Sequence, residues 1–210
     1  MGPGETQGEG RMERKKRETR QKIVKVAMDL IQRQGFDSTT MEQIAAEADI
    51  ARKTLYNHFP VKEAIVDEYV RGASKGLARE TMANLHTLPD TKTRLLATLD
   101  KTYEWVEFNP EIVGVCLGYR HKNMCRGAGY NEGKTGTQSI MAEIIRLGQE
   151  AGEIRRDISI KTLVMQLDIL RGAVVMDWLS DKSRFELRKE MAKIVDLFIN
   201  GAMERDGSRT

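Results

Sequence analysis

The sequence predicts an all-α protein, and three observations support this fold class. Only four of the 210 residues are proline, and residues common in helices, such as Ala, Leu, Met, Glu, Lys and Arg, are abundant. Long alternating runs of Val, Thr and aromatic residues, which are typical of strands, are absent from the sequence. A chain of this length can form one large domain or two small ones around a hydrophobic core.

Positive charge is concentrated near the amino terminus. The formal net charge of the chain is only +3, but the segment from Arg11 to Lys22 holds seven basic residues and two acids. Such a segment favours contact with phosphate groups. No stretch reaches the length of about 20 apolar residues that a membrane span needs, and a signal peptide is not recognisable. Two cysteines fit a reducing compartment, so we expect a cytoplasmic protein with no membrane partner.

The chain is predicted to begin with a tail and a long helix. We expect residues 1–14 to be a disordered tail, because residues 1–10 are Gly-rich and acidic and lack apolar side chains after Met1. A helix is predicted from about Lys15 to Gln34, and Gly35 ends it. Its apolar residues recur at helical spacing and are Ile23, Ala27, Leu30 and Ile31.

A second, short helix is predicted to start at Met41. Thr40 and Gln43 form the T-x-x-Q pattern of a capping box, which satisfies the first free backbone N–H groups of a helix. One face of this helix is apolar. Asp49 follows it, and Asp tolerates the left-handed conformation that ends many helices, so the segment from Ala48 to Ile50 is predicted to be a turn.

A third helix is predicted between Ala51 and Phe59. Leu55 and Phe59 lie four residues apart and can be buried together with Ile50. Its remaining side chains are hydrogen-bond donors, an aromatic ring and an imidazole, with no acid: Arg52, Lys53, Thr54, Tyr56, Asn57 and His58. Two short helices joined by a tight turn indicate a helix-turn-helix, whose second helix enters the DNA major groove.

The rest of the chain is predicted to form helices separated by short connections. Helices are expected from Lys62 to before Pro89, from Asp90 to Asn109, from Ser139 to Glu150, from Ser159 to about Leu179 and from Phe185 to Met203. The run from Ile112 to Tyr119 fits either a helix begun at Pro110 or a buried strand. The segment from Arg120 to Gly136 contains four glycines and is predicted to be a loop.

The helix-turn-helix segment resembles the TetR family of bacterial transcriptional repressors over about 50 residues, from Arg17 to Ile65. The matching residues are Gly35, Phe36, Thr39, Thr40, Ile44, Ala45, Ala48, Thr54, Leu55, Tyr56, His58, Phe59, Lys62 and Glu63. The resemblance implies an all-helical dimer with an N-terminal three-helix DNA-binding head, here residues 15–62. It also implies a C-terminal helical domain for ligand binding and dimerisation, here residues 63–206.

Three positions depart from the family pattern. The family often has Gly at the position of Asp49, Ser at that of Ala51, and Ser or Asn at that of Val61. Ala51 cannot cap the second helix of the motif through its side chain, which removes about 1 kcal/mol of local stabilisation. A hydroxyl contact from this position to phosphate is also lost, so base preference can differ from that of relatives with Ser.

The predicted DNA contacts divide into base readers and phosphate anchors. Arg52, Lys53 and Asn57 can pair with guanine or adenine edges. Phosphate anchors of the usual residue types are Thr40, Tyr56, His58 and Lys62, and Thr54 is a further polar contact on the same helix. The alternative interpretation of this face is an ordinary solvated helix surface.

A small-molecule effector and a second subunit are the other predicted partners. The large apolar side chains proposed to line a ligand site are Trp105, Phe108, Tyr119, Met124, Tyr130, Met141, Met165 and Trp178. For each of them, a position in the core is the favoured interpretation. The last two helices carry wide apolar stripes, from which we predict an isologous four-helix bundle between two subunits.

Signals of other functions are weak. The segment Ala128 to Thr135, AGYNEGKT, loosely fits a phosphate-binding loop but lacks a preceding strand, so a nucleotide-binding enzyme is the less favoured alternative. Cys116, His121 and Cys125 lack the spacing of a zinc site, and no catalytic motif is recognisable, so we predict no metal, no cofactor and no enzyme activity. The sequence therefore predicts a DNA-binding regulator, with repression as the favoured role, that binds a palindromic operator as a dimer. A non-specific DNA-binding protein is the alternative.

Overall fold

A computed structural model describes residues 10–125 and 135–202, and all regular elements in these ranges are helical. The helices are α1 Arg11–Gln34, α2 Met41–Glu47, α3 Arg52–His58, α4 Lys62–Asn84, a 3₁₀ helix Leu85–Thr87, α5 Thr91–Phe108, α6 Pro110–Cys125, α7 Gly136–Glu150, α8 Ile160–Ser180 and α9 Leu187–Ala202. The prediction of an all-α fold is confirmed.

The chain divides into two compact units, Met1–Tyr69 and Val70–Thr210, here called the head and the body. Helix α4 runs through the boundary, because its residues up to Tyr69 belong to the head and the rest to the body. The domain boundary expected between residues 62 and 63 falls in the same helix. None of the described helices is long and apolar enough to cross a membrane.

The head has an apolar core that α1, α2, α3 and the start of α4 share. Its buried cluster consists of Ile23, Ala27, Leu30, Met41, Ile44, Ala45, Leu55, Phe59 and Ile65. Helix α1 begins at Arg11 and not at Lys15, so the predicted tail is wrong for residues 11–14. These residues are Arg, Met, Glu and Arg, which all have good helix propensity. Residues 1–9 lie outside the described part of the chain.

The body core forms where α5 packs on α7 and α9, and α8 packs on the same two helices. Helix α6 packs against α5 and α8. Side-chain caps start three of these helices: Asp90 accepts a hydrogen bond from the N–H of Thr93, Thr135 from Gln138, and Ser159 from Thr162. The predicted caps at Asp90 and helix start at Pro110 are confirmed.

The segment from residue 110 to residue 136 differs from its prediction. The run Ile112 to Tyr119 lies within α6, which removes the strand alternative. The predicted loop is wrong at both ends, because residues 120–125 continue α6 and Gly136 is the first residue of α7. Gly136 is needed in this helix because a Cβ there would lie 2.0 Å from the carbonyl oxygen of Ser74 in α4. Residues 126–134 lie outside the described ranges.

Candidate nucleic-acid interface

Helix α2 begins with the predicted capping box. The Thr40 hydroxyl accepts a hydrogen bond from the backbone N–H of Gln43 at 3.2 Å, and the Gln43 carboxamide oxygen accepts one from the N–H of Thr40 at 2.9 Å. Met41, Ile44 and Ala45 are buried below them. This reciprocal pair fixes where α2 starts, and it leaves Thr40 itself exposed to solvent.

Asp49 makes the turn between α2 and α3. Its φ angle is 50°, in the left-handed region, and no other non-glycine residue of the described ranges has a positive φ. The N–H of Ile50 donates to the carbonyl of Ala45 at 3.0 Å and closes the turn. The turn prediction is confirmed, and this positive φ is a conformation that Gly adopts without steric cost.

Helix α3 is anchored by one residue and exposes most of the others. Leu55 is fully buried, and Phe59, just after the helix, is buried next to it in the head core. Arg52, Lys53, Tyr56 and Asn57 are exposed, whereas Thr54 and His58 are half-buried. Ala51 stands at the N-cap position and makes no side-chain cap, as its sequence predicts. The result is a short helix with a basic and hydrogen-bonding outer face.

Arg20 of α1 fastens the end of α3. Its guanidinium donates to the backbone carbonyl of His58 at 2.9 Å and to the Glu68 carboxylate at 2.7 Å. It also lies 4.0 Å from the centre of the Phe59 ring, within range of a cation–π contact. Sequence reasoning counted Arg20 only as part of the basic segment, because these partners lie far away along the chain.

Lys62 has structural partners in the head. Its ammonium group donates to the carbonyl oxygens of Phe36 and Thr39, and it lies 4.1 Å from the centre of the Phe36 ring. These contacts tie the first turn of α4 to the connection between α1 and α2. The role of Lys62 as a phosphate anchor stays a prediction, and the side chain is half-buried rather than freely exposed.

The surroundings of His58 lower its pKa and so favour the neutral imidazole. Burial lowers the pKa of the imidazole below its ordinary value, and the nearby charges of Arg20 and Lys16 lower it further. Its Nδ1 atom is buried and has no hydrogen-bond partner within the described part of the chain. A negative group beside this ring would reverse the effect of the two cations on its pKa.

The predicted ligand-lining residues occupy different environments in the body. Met141 and Trp178 are buried, Trp105, Tyr119 and Met165 are half-buried, and Phe108 is 79% exposed. The Met124 side chain and Tyr130 lie outside what the structure describes. Trp178 lines a surface groove with Glu107, Lys182, Phe185, Leu187 and Arg188, and this groove contains none of the other predicted residues.

A buried ionic cluster in the body was missed by sequence reasoning. Arg171 of α8 is 8% exposed, and its Nε donates to the Tyr103 hydroxyl at 2.7 Å. Its Nη1 donates to Asp168 at 3.0 Å and to the sulfur of Met141 at 3.4 Å. Burial raises the pKa of the Tyr103 hydroxyl above its usual range. The available signal was a charged residue on the buried stripe of α8, between Leu167 and Val175.

The weaker motifs do not form a site in the described ranges. Cys116 is buried, His86 and His121 are exposed, and no group of three or more His, Cys, Asp or Glu side chains there could hold a metal ion. Residues 128–134 of the proposed phosphate-binding loop are not described. Its last residue, Thr135, uses its hydroxyl to cap α7.

Comparison with known proteins agrees with the geometry of the head. A family model for bacterial regulatory proteins of the tetR family matches residues 23–69. The regulator TcmR of Streptomyces glaucescens is 38% identical over 58 residues, 28% of this chain and 26% of TcmR. The repressor KstR2 of Rhodococcus jostii is 26% identical over 144 residues, 68% of this chain and 71% of KstR2.

A solved structure matches over nearly the whole chain. FadR of Thermus thermophilus, a TetR-family repressor in complex with lauroyl-CoA, aligns with a TM-score of 0.75 and 23% identity, over 91% of this chain and 98% of that one. The fold and the head together define a transcriptional regulator of the helix-turn-helix class. Residues 23–69 carry the DNA-binding region of the tetR family of bacterial regulatory proteins. The matching relatives are transcriptional regulators, which confirms the prediction of a DNA-binding regulator that is not an enzyme.

Proposed function

We propose that this regulator represses transcription by binding a palindromic operator as a homodimer, and that a small-molecule effector bound in the body releases it. The observation that carries the proposal is the surface of α3, where Leu55 is the buried residue and the exposed ones are basic, amide or phenolic. A surface of this kind suits base edges and phosphates of a major groove. Two such helices in a dimer would read half-sites about 34 to 36 Å apart.

The proposed DNA contacts can be separated by type of effect. Arg52, Lys53 and Asn57 are assigned to base edges, and Thr40, Thr54, Tyr56, His58 and Lys62 to phosphates or their neighbourhood. Lys53→Ala should change the preferred sequence, because a base contact is removed. An anchor variant such as Tyr56→Phe should weaken binding to all sequences alike. Equal effects of both variants on sequence preference would contradict the division.

The test of the DNA proposal is selection of bound duplexes from a random pool by the full-length protein. A palindrome with the half-site spacing given above is expected. Competition with random duplex then measures specificity, because a non-specific DNA-binding protein would bind both equally. Selection that yields no preferred sequence would contradict the proposal and favour that alternative.

The proposed dimer interface lies on α8 and α9, which pack against each other in the body. Ile169 and Met176 of α8 are 51% and 46% exposed, and Leu197 of α9 is 62% exposed. Ile169 and Met176 lie seven residues apart and so share one helix face. Such exposed apolar side chains on neighbouring helices suit burial against a second copy in a four-helix bundle.

Light scattering on the intact chain tests this interface. The expected mass is twice the 23.8 kDa of one subunit. The double variant Ile169→Lys/Met176→Lys should shift the protein to monomer, because it places charges at the centre of the contact. A wild-type monomer at micromolar concentration would contradict the dimer.

A fatty acyl-CoA is the effector class that we propose. The FadR structure with lauroyl-CoA supports this class, since its fold matches that of this chain. Apolar side chains of the body that remain proposed contacts are Trp105, Tyr119, Met141, Met165 and Trp178. Lauroyl-CoA should lower affinity for the selected duplex by about 5- to 150-fold, the usual range of coupling between two sites, and CoA alone should not. Unchanged affinity at saturating lauroyl-CoA would exclude this effector class.

A further inference from the structure

Hydrogen bonds connect the buried Arg171 cluster to Thr135, and the peptide bond from Thr135 to Gly136 continues this series to α4; the whole series is here called the α7 chain. Its members lie on α5, α8, α4 and α7 with its N-cap, and all belong to the body: Tyr103, Arg171, Asp168, Gln138, Thr135, Gly136 and Ser74. The hydrogen bond from the Gly136 N–H to the Ser74 hydroxyl measures 3.1 Å. Neither the DNA contacts nor the proposed effector class accounts for this arrangement.

Asp168 and Gln138 are the shared links of the α7 chain. One carboxylate oxygen of Asp168 accepts from Arg171 at 3.0 Å, and the other accepts from the Gln138 amide nitrogen at 2.9 Å. The amide oxygen of Gln138 accepts the N–H of Thr135 at 3.0 Å, so both ends of its carboxamide are used. This fixes the orientation of the amide, because the flipped group would face a donor with its nitrogen and a carboxylate with its oxygen.

Gly136 forms the contact with α4. Its N–H donates to the Ser74 hydroxyl at 3.1 Å, and that hydroxyl donates to the carbonyl of Arg71 at 2.9 Å. An added Cβ on Gly136 would lie 2.0 Å from the Ser74 carbonyl oxygen and 2.6 Å from the backbone nitrogen of Lys75. The backbones of α7 and α4 are therefore in contact. Because the contact is closely packed, a displacement of the first turn of α7 towards α4 requires α4 to move as well.

We propose that Gln138 and Gly136 are positioning residues that couple the Arg171–Asp168 ion pair to the placement of α4. An effector group that binds Arg171 weakens the hydrogen bond from Arg171 to Asp168. The bond from Gln138 to Asp168 then changes, the start of α7 moves with Gln138, and the contact of Gly136 with Ser74 changes in turn. Helix α4 has residues in both units, so the effect of the coupling on DNA binding is measured directly. This inference rests on the proposed ligand-released DNA binding and adds the residues that transmit the release.

The Gln138→Glu variant tests the coupling without removing the helix cap. Glu is a preferred residue at this position of a capping box, so the bond to Thr135 N is kept. The introduced carboxylate faces Asp168 and repels it, which breaks the chain at one link. Adding Asp168→Asn should repair the link, since the introduced amide can donate to the new carboxylate while its oxygen still accepts from Arg171.

Hydrogen exchange on the full-length protein is the first measurement. Gln138→Glu should raise exchange at the amides of Gly136 and of α4 around Ser74 at least about fivefold, the lower end of ordinary site-to-site coupling. The double variant Gln138→Glu/Asp168→Asn should return both to wild-type rates. The matched control is Gln149→Ala, because Gln149 lies on the same helix but donates to the carbonyls of Arg155 and Ile158 instead.

Affinity for the selected duplex is the second measurement, and it should change at least about fivefold in Gln138→Glu and recover in the double variant. Unchanged exchange at α4, or an increase spread evenly over α5 and α9, would overturn the coupling. Changed exchange with unchanged affinity would overturn its regulatory role, leaving a structural contact. Failure to select any duplex would instead contradict the proposed function, and exchange would still decide whether the α7 chain reaches α4.

Discussion

Arg20 and Lys62 of the head make different contacts from Arg171 of the body. Both head residues donate to backbone carbonyls and lie over aromatic rings, and Arg20 also donates to the Glu68 carboxylate. In the body, Arg171 donates to the side chains of Tyr103 and Asp168. A backbone carbonyl stays where its helix or turn places it, whereas a side-chain partner can rotate and exchange.

The difference suggests separate tasks for the two units. In the head, the hydrogen bonds from Arg20 and Lys62 to backbone carbonyls fix the backbone around α3. A buried ion pair made of side chains is costly to break and can be re-formed with a different partner, so it suits a region that responds to a ligand. Four predictions test this comparison, beginning with the largest expected effect.

Gly136→Ala should destabilise the body most. The added methyl would meet the backbone of α4, and relief requires α7 to move away, so we expect a loss of about 3 kcal/mol, the upper end for overpacking. Urea unfolding of the intact chain measures it. Gly76→Ala is the matched control, because an added Cβ there meets nothing within 4 Å, and it should stabilise α4 by about 0.5–1 kcal/mol. Equal stability of the two variants would show that the α4–α7 contact can relax.

Lys62→Met should destabilise the head by about 2 kcal/mol, because two carbonyls lose a charged donor. Lys53→Met makes the same chemical change on the exposed face of α3 and should leave stability unchanged while altering DNA binding. Unfolding curves and duplex affinity, measured for both variants, separate the two roles. If Lys62→Met lost affinity for every sequence and kept full stability, Lys62 would be a phosphate anchor and not a structural tie.

Ala51→Ser should stabilise the head by about 1 kcal/mol. Ala51 has an extended backbone at the N-cap of α3 and makes no side-chain cap, so a hydroxyl there can accept a free N–H of the first turn. Thr40→Ala, which removes the cap of α2, should cost about the same amount. Thermal unfolding measures both, and a destabilising Ala51→Ser would show that α3 begins differently.

His58 should give the smallest effect, a pH dependence of DNA binding. Its pKa is lowered in the free protein, and a phosphate beside it would raise the pKa, so binding takes up a proton. Affinity should therefore increase as the pH falls through and below 6.5, by at most about tenfold per pH unit for one proton. His58→Gln should remove this slope, and His86→Gln, at an exposed position of the body, should keep it. An unchanged slope in His58→Gln would exclude the contact.

The features of the head that could be predicted are those encoded by neighbouring residues. Thr40 and Gln43 define the start of α2 from three positions apart, and Asp49 marks the turn by its own tolerance of a positive φ. Leu55 and Phe59 indicate the buried side of α3 by their spacing. Each of these signals needs only a few adjacent residues, so the sequence is sufficient to read them.

The features that could not be predicted join distant parts of the chain. Lys62 reaches Phe36, 26 residues earlier, and Arg171 reaches Tyr103, 68 residues earlier. Gly136 was assigned to a loop because glycine usually breaks helices, yet its missing side chain serves a close approach to α4. Without the fold, a residue type does not reveal which distant group it meets.

The single buried anchor of α3 bears on how this regulator could acquire new targets. Within α3, which the structure describes in full, Leu55 is the one buried residue. Surface substitutions away from caps and core usually change stability by no more than about 0.5 kcal/mol. Most residues of α3 can therefore be substituted without unfolding the protein. After gene duplication, one copy could acquire affinity for a different promoter sequence while it keeps the same fold.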